Sequence, residues 1–140
     1  MIQIEVNRVQ GDFGFEAKDT AGHIARMDSS PETGGENFGI RPMQMLLMGL
    51  GGCSGIDIVS ILKKQRQVVE GFHMLLEGDR EPGKEPSLWA NIHMVFELKG
   101  TIDPDKAKKA VELAMEKYCS VAATLKEARC KITWEVRINP

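Results

Sequence analysis

The stretch MQMLLMGLGGCSGIDIVSIL, from Met43 to Leu62, decides how the rest of this chain is arranged. Asp57 is the single charge in these twenty residues, and Pro42 stands just ahead of them. A proline there costs little, because the first turn of a helix has no partner for the N–H that proline lacks. The segment reads as one helix, apolar on every side, and such a helix in a soluble protein is buried all round. Its length also suits a membrane span. Against that stand Gly49, Gly51, Gly52, Gly55 and the mid-segment Asp57, with no second span and no aromatic belt. Each glycine costs about 1 kcal/mol against alanine inside a helix. Either they admit another backbone at close range, or the helix breaks near Gly51 and Gly52 and leaves Cys53 at a helix start. The residues leave both open.

Outward from this helix, both flanks read as strands. Ile2, Ile4 and Val6 alternate with polar neighbours, Gly11 and Asp12 mark a turn, and Phe13, Phe15 and Ala17 alternate again. A turn from Asp19 to Gly22 leads to a third short strand, His23 to Asp28, and the composition from Ser29 to Gly39 is that of a loop. Beyond the helix, Val69 to Glu77 and Leu88 to Leu98 flank a turn-rich stretch, Gly78 to Ser87, as in a hairpin. Asp103 followed by Pro104 opens a helix through Ala107, Ala110, Val111, Ala114 and Met115. A second helical stretch, Ser120 to Ala128, precedes a last strand, Cys130 to Ile138. The order β-β-β-α-β-β-α-α-β predicts a single α+β domain over residues 1–140, with a mainly antiparallel sheet wrapped around the central helix. A sheet of this size covers one side of the helix, and a second subunit is the natural cover for the other.

Composition narrows the function classes. The 140 residues are 42% hydrophobic and 27% charged, with a net charge of −2. That is a globular balance, without the basic field that would attract nucleic acid or an anionic membrane. The densest positive group, Lys63, Lys64 and Arg66, sits where the apolar helix ends, as a solvated helix end does. Met1 to Arg8 begins as an alternating strand rather than an export signal, so the expected location is cytoplasmic and the three cysteines are expected to be thiols at rest. An odd count argues against a disulfide scaffold and makes any disulfide a transient one.

Cys53 and Cys119 are the candidate catalytic residues. By itself Cys53 reads as a small buried hydrophobe or as a reactive thiol. Asp57 lies four residues on and shares its helix face. A carboxylate opposes thiolate formation, so Asp57 cannot activate Cys53 directly but could hold a cation that does. Cys119 stands at the junction of two helices, where unpaired N–H groups favour a thiolate. Cys130 opens the last strand and reads as structural. His23, His73 and His93 lie in separate strands without paired ligand spacing, so no metal site is expected from them. No cofactor motif is present: Gly49 to Gly52 lacks the strand and the Lys-Ser/Thr of a phosphate loop.

The segments Arg41-Pro42 to Gly52-Cys53 and Glu116-Lys117-Tyr118-Cys119-Ser120-Val121 resemble the two cysteine motifs of the OsmC/Ohr family, the osmotically inducible and organic hydroperoxide resistance proteins. Gly-Gly-Cys-Ser-x-Ile-Asp together with Lys-Tyr-Cys-Ser-Val is most like that family's YhfA branch. The resemblance implies an intertwined homodimer with active sites at the interface. It implies that Cys53 attacks a hydroperoxide and becomes a sulfenic acid, that Cys119 condenses with it to a disulfide, and that a thiol reductant restores both. The partners implied are a hydroperoxide or other apolar small molecule and a thiol, with no nucleic acid and no membrane. The chain departs from the family pattern at Met43, where peroxidases of the family carry a Glu that pairs with an activating Arg. Arg26 and Arg41 are candidates for that Arg by region. Two other readings are a non-catalytic relative that binds an apolar ligand in the same pocket, and a hotdog-type thioesterase using Asp57.

Overall fold

The elements occur in the expected order in a computed structural model that covers residues 1–140. The chain groups into two compact units, residues 1–46 and 47–140.

In the first unit β1 (Glu5–Gln10), β2 (Gly14–Lys18) and β3 (Ile24–Met27) form a three-stranded antiparallel sheet. The regular strand begins at Glu5 rather than Ile2 because Glu5 pairs with Lys18, the last residue of β2. Asp19 then turns the chain, its Oδ1 accepting the N–H groups of Ala21 at 3.0 Å and His23 at 2.8 Å. The loop after β3 is tied down by Asp28, which is only 3% exposed. Its Oδ2 accepts the N–H groups of Glu36 at 2.8 Å and Phe38 at 3.1 Å, and its Oδ1 that of Ser29 at 2.7 Å. These bonds hold the Asp28 carboxyl below the usual carboxylate range, with the Arg41 charge adding to the effect. Ile40 then bridges to Met27. Gly39 permits this approach, since a Cβ there would run into the backbone of Arg26. Val6, Val9, Phe15 and Ile24 all remain exposed on this sheet.

The central helix, α1 (Pro42–Lys64), runs without a break through Gly51 and Gly52. Its inward residues, Leu50, Gly51, Ser54, Gly55, Ile58 and Leu62, are buried. The glycines fall into two kinds. A Cβ at Gly51 would meet Leu76 Cδ1 at 3.4 Å and one at Gly55 would meet Met74 Cε at 3.0 Å, so these two admit the neighbouring strand. Gly49 and Gly52 have nothing within 4 Å. They lie on the outer face with Met48, Ile56 and Val59, which are exposed. The expectation of burial on every side therefore holds for one face of α1 within a single chain. The other face is apolar and open. α1 is long and apolar enough to cross a membrane, but its inner face belongs to the protein core.

That core is built on β4 (Val68–Arg80), β5 (Trp89–Thr101) and β6 (Lys131–Ile138), a second three-stranded sheet with β5 in the middle. Ile92, Met94, Phe96 and Leu98 alternate along β5 and are each at most 1% exposed, the period-two pattern of a strand with one face on the core. β4 pairs antiparallel with β5, placing Met74 opposite Phe96 and Leu76 opposite Met94. β5 and β6 are parallel, which the mainly antiparallel expectation did not specify. The reason is the connection between them: parallel neighbours need a long crossover, here a helical one. It comprises α2 (Pro104–Leu113) and α3 (Ser120–Glu127), whose Ala107, Ala110, Val111, Ala122 and Leu125 join the same core.

Candidate functional site

Two sequence features bring Cys119 to α1. Asp103 caps α2, accepting the N–H of Asp105 at 2.8 Å, and its own N–H is held by Gln67 Oε1 at 2.8 Å. α2 then widens into a π-helical turn, Ala114–Tyr118, closed by the Cys119 N–H donating to Ala114 O at 2.8 Å. Lys126 Nζ donates to the Met115 carbonyl at 2.7 Å. Such turns are found often at functional sites. Here the turn ends the helix so that Cys119 becomes the N-cap of α3, and its Sγ accepts the Ala122 N–H at 3.4 Å. The junction read from the sequence is thus a helix start with the sulfur capping it.

Cys53 and Asp57 stand one turn apart on α1. The sulfurs of Cys53 and Cys119 and a carboxylate oxygen of Asp57 all lie within 4.8 Å of one another. The three cysteines are free thiols. Cys119 is 3% exposed, and burial pushes its thiol up to about 11; the Ala122 N–H pulls the other way, and Cys53 beside it adds to the upward push. Cys119 is therefore a protonated thiol at neutral pH. Cys53 is the more accessible of the pair.

Cys130 lies outside this group. It is buried at the start of β6, and its thiol is pushed up by burial and then by the Asp79 charge, which agrees with a structural role. Arg26 and Arg41 both have partners within the first unit. Arg26 Nε lies 3.5 Å from Glu16 Oε2 and its guanidinium 5.3 Å from the centre of the Phe38 ring. Arg41 Nη1 donates to Gly39 O at 3.4 Å.

The resemblance implied that Cys119 meets Cys53, and sequence reasoning noticed the Cys53–Asp57 spacing but not that Cys119 would meet Asp57 as well. It also missed the state of Asp57: Oδ2 is buried and has no hydrogen-bond partner. Asp57 lines an open groove of about 340 Å³ with Ser60, Ile61, Lys64, Gln65 and Tyr118. Gln65 Oε1 is likewise buried without a partner.

Residues 33–135 match the sequence profile of the family described as OsmC-like protein. Protein YhfA of Escherichia coli K12 is 38% identical over 128 residues, 91% of either chain. A crystal structure of a hypothetical protein from Aquifex aeolicus VF5 superposes with a TM-score of 0.82 at 31% identity, covering 100% of this chain and 98% of that one. An organic hydroperoxide resistance protein OsmC from Legionella pneumophila has a TM-score of 0.68 at 18% identity, over 98% of this chain and 96% of that one; at that identity the likeness is of fold.

Proposed function

The chain belongs to the OsmC-like protein family, and on that footing we propose that it reduces organic hydroperoxides with two thiols, Cys53 attacking and Cys119 resolving. The observation that carries this reading is the approach of the two sulfurs to within 4.8 Å. In the first step the Cys53 thiolate attacks the terminal peroxide oxygen. The O–O bond breaks, the sulfur becomes a sulfenic acid, and the alkoxide leaves as an alcohol after taking a proton. In the second step the Cys119 sulfur attacks the Cys53 sulfur. A disulfide forms, and the sulfenic hydroxyl leaves as water with the proton that Cys119 gives up. An external thiol, expected in the cytoplasm, returns both cysteines to thiols by exchange.

The assignment of roles rests on accessibility and charge. Cys53 is the more exposed of the two thiols, whereas Cys119 is buried and its thiol is pushed up, chiefly by that burial. The working unit is a homodimer in this reading. Support for it comes from the open apolar face of α1, where Ile56 is 74% exposed and Gly49 and Gly52 leave room for another backbone. The exposed apolar side chains of the β1–β3 sheet, with Val6 and Ile24 each 52% exposed, add a second surface that a partner would cover.

The test is thiol consumption by the fully reduced protein mixed with cumene hydroperoxide. The expected result is loss of two thiols per chain for one peroxide, faster by orders of magnitude than with free cysteine, and absent in Cys53→Ser. Loss no faster than that of free cysteine overturns the reading and leaves the non-catalytic, ligand-binding alternative.

A further inference from the structure

We propose that Cys53, Cys119 and Asp57 together bind a thiophilic divalent cation, Zn²⁺ being the type, through two sulfurs and one carboxylate oxygen. The inference does not depend on the hydroperoxide reading; it stands on how the three side chains are placed. Their donor atoms lie within 4.8 Å of one another. Tetrahedral zinc, with Zn–S of about 2.3 Å and Zn–O of about 2.0–2.2 Å, sets its donors about 3.5–3.8 Å apart. Closing on an ion therefore asks for shifts of about 1 Å at side-chain tips, while α1 and the start of α3 stay in place.

The second observation concerns Asp57 itself. Its Oδ2 is buried and accepts no hydrogen bond. A buried carboxylate oxygen without a donor is costly, and a thiol offers only a weak donor. A cation held between the sulfurs and the Asp57 carboxylate supplies the charge that its buried oxygen lacks. The Ala122 N–H, donating to Cys119 Sγ at 3.4 Å, supplies the outer-shell hydrogen bond that steadies a thiolate ligand.

The donor set also selects the metal. Magnesium and calcium take oxygen ligands, whereas two thiolates with one carboxylate suit zinc. Zinc takes cysteine as thiolate, so binding releases thiol protons and tightens as pH rises. Three protein donors leave one tetrahedral position for water or an exogenous thiol. The histidines, on which the expectation of no metal site rested, take no part.

Cobalt(II) is the probe, because its thiolate charge-transfer and tetrahedral ligand-field bands report the donors directly. Reduced protein titrated with Co²⁺ is expected to take up one equivalent per chain, to show both bands, and to lose them when Zn²⁺ is added. Cys53→Ser and Cys119→Ser should each remove or halve the thiolate band. Asp57→Asn should weaken binding by about 100-fold, the upper end of what loss of even an outer-shell partner costs. Cys130→Ser should titrate like the unsubstituted protein. Circular dichroism of each metal-free variant separates loss of a ligand from loss of the fold. Absence of a thiolate band, a full band in either Cys53→Ser or Cys119→Ser, or unchanged affinity in a folded Asp57→Asn overturns the site. A protein that consumes hydroperoxide but shows no band loses only this inference, and one that binds Co²⁺ but is inert to hydroperoxide loses only the other.

Discussion

Cys53 Sγ and Cys119 Sγ lie within 4.8 Å of each other, one on the central helix and the other capping the helix that follows the π-helical turn. A disulfide between them requires the sulfurs to close to about 2.05 Å. Cys130, by contrast, stands outside the group. After one equivalent of hydroperoxide, peptide mapping should find Cys53 joined to Cys119 and Cys130 still a thiol. In Cys119→Ser the reaction should stop at a Cys53 sulfenic acid, which dimedone traps. A disulfide that includes Cys130 would contradict the assignment.

The resolving step should depend on pH in a defined direction. Burial, the largest cause of the upward push on the Cys119 thiol, remains after Cys53 is oxidised. Cys119 is therefore thiolate in only a small fraction of molecules at pH 7. The thiolate is the nucleophile, so disulfide formation in metal-free protein should speed up by about tenfold per pH unit from 7 towards 10. Stopped-flow measurement of the step after oxidation of Cys53 checks this; a rate flat across that range would show that Cys119 does not attack as a free thiolate.

Ile56 tests the proposed dimer. It is the most exposed large hydrophobic side chain on α1, at 74%. Within one chain Ile56→Glu should change stability by no more than about 0.5 kcal/mol. A charge placed in an apolar subunit contact is costly, so the substitution should shift sedimentation from dimer to monomer at micromolar concentration. An unchanged oligomeric state would mean that this face is not the contact.

Asp28 links the β1–β3 unit to acid stability. Its carboxylate is held below its ordinary value of 3.8 by the N–H groups of Glu36 and Phe38. A depressed folded value means that this stabilisation is whole above the ordinary value and is lost as pH falls through the folded one. Asp28→Asn should therefore lower the melting temperature at pH 7 and flatten its fall below about pH 4. Thermal scans of both proteins across that range measure the effect.

Phe96 anchors the second unit. It is fully buried, with its ring tilted against Phe72 at 6.3 Å. Phe96→Ala should cost about 3–5 kcal/mol by urea unfolding, while leaving α1 and the start of α3, which carry Cys53 and Cys119, intact. A cost under about 1 kcal/mol would mean that the core collapses around the gap.

Much of this molecule was legible before any coordinate. Alternation along β5, the Asp103–Pro104 start of α2 and the Pro42 start of α1 are local signals, and local signals set element type. The glycines of α1 were ambiguous for the opposite reason. Gly51 and Gly55 lie against Leu76 and Met74 while Gly49 and Gly52 lie against nothing, and only the neighbouring strand could divide them. The parallel β5–β6 pairing was likewise out of reach, since the sequence between two strands states that a crossover exists but not which edge it returns to.

Cys53 and Asp57 were bound to share a face, because four residues are about one turn of any α-helix. Cys119 was bound to sit near a helix start, because its neighbours end one helical pattern and begin another. Those facts belong to the sequence alone. That the three meet within 4.8 Å, that burial keeps Cys119 protonated and that Asp57 Oδ2 is left without a donor were decided by packing. The physical reason is range: helix spacing acts over one turn, whereas desolvation and hydrogen-bond satisfaction depend on segments brought together only when the crossover folds back along α1.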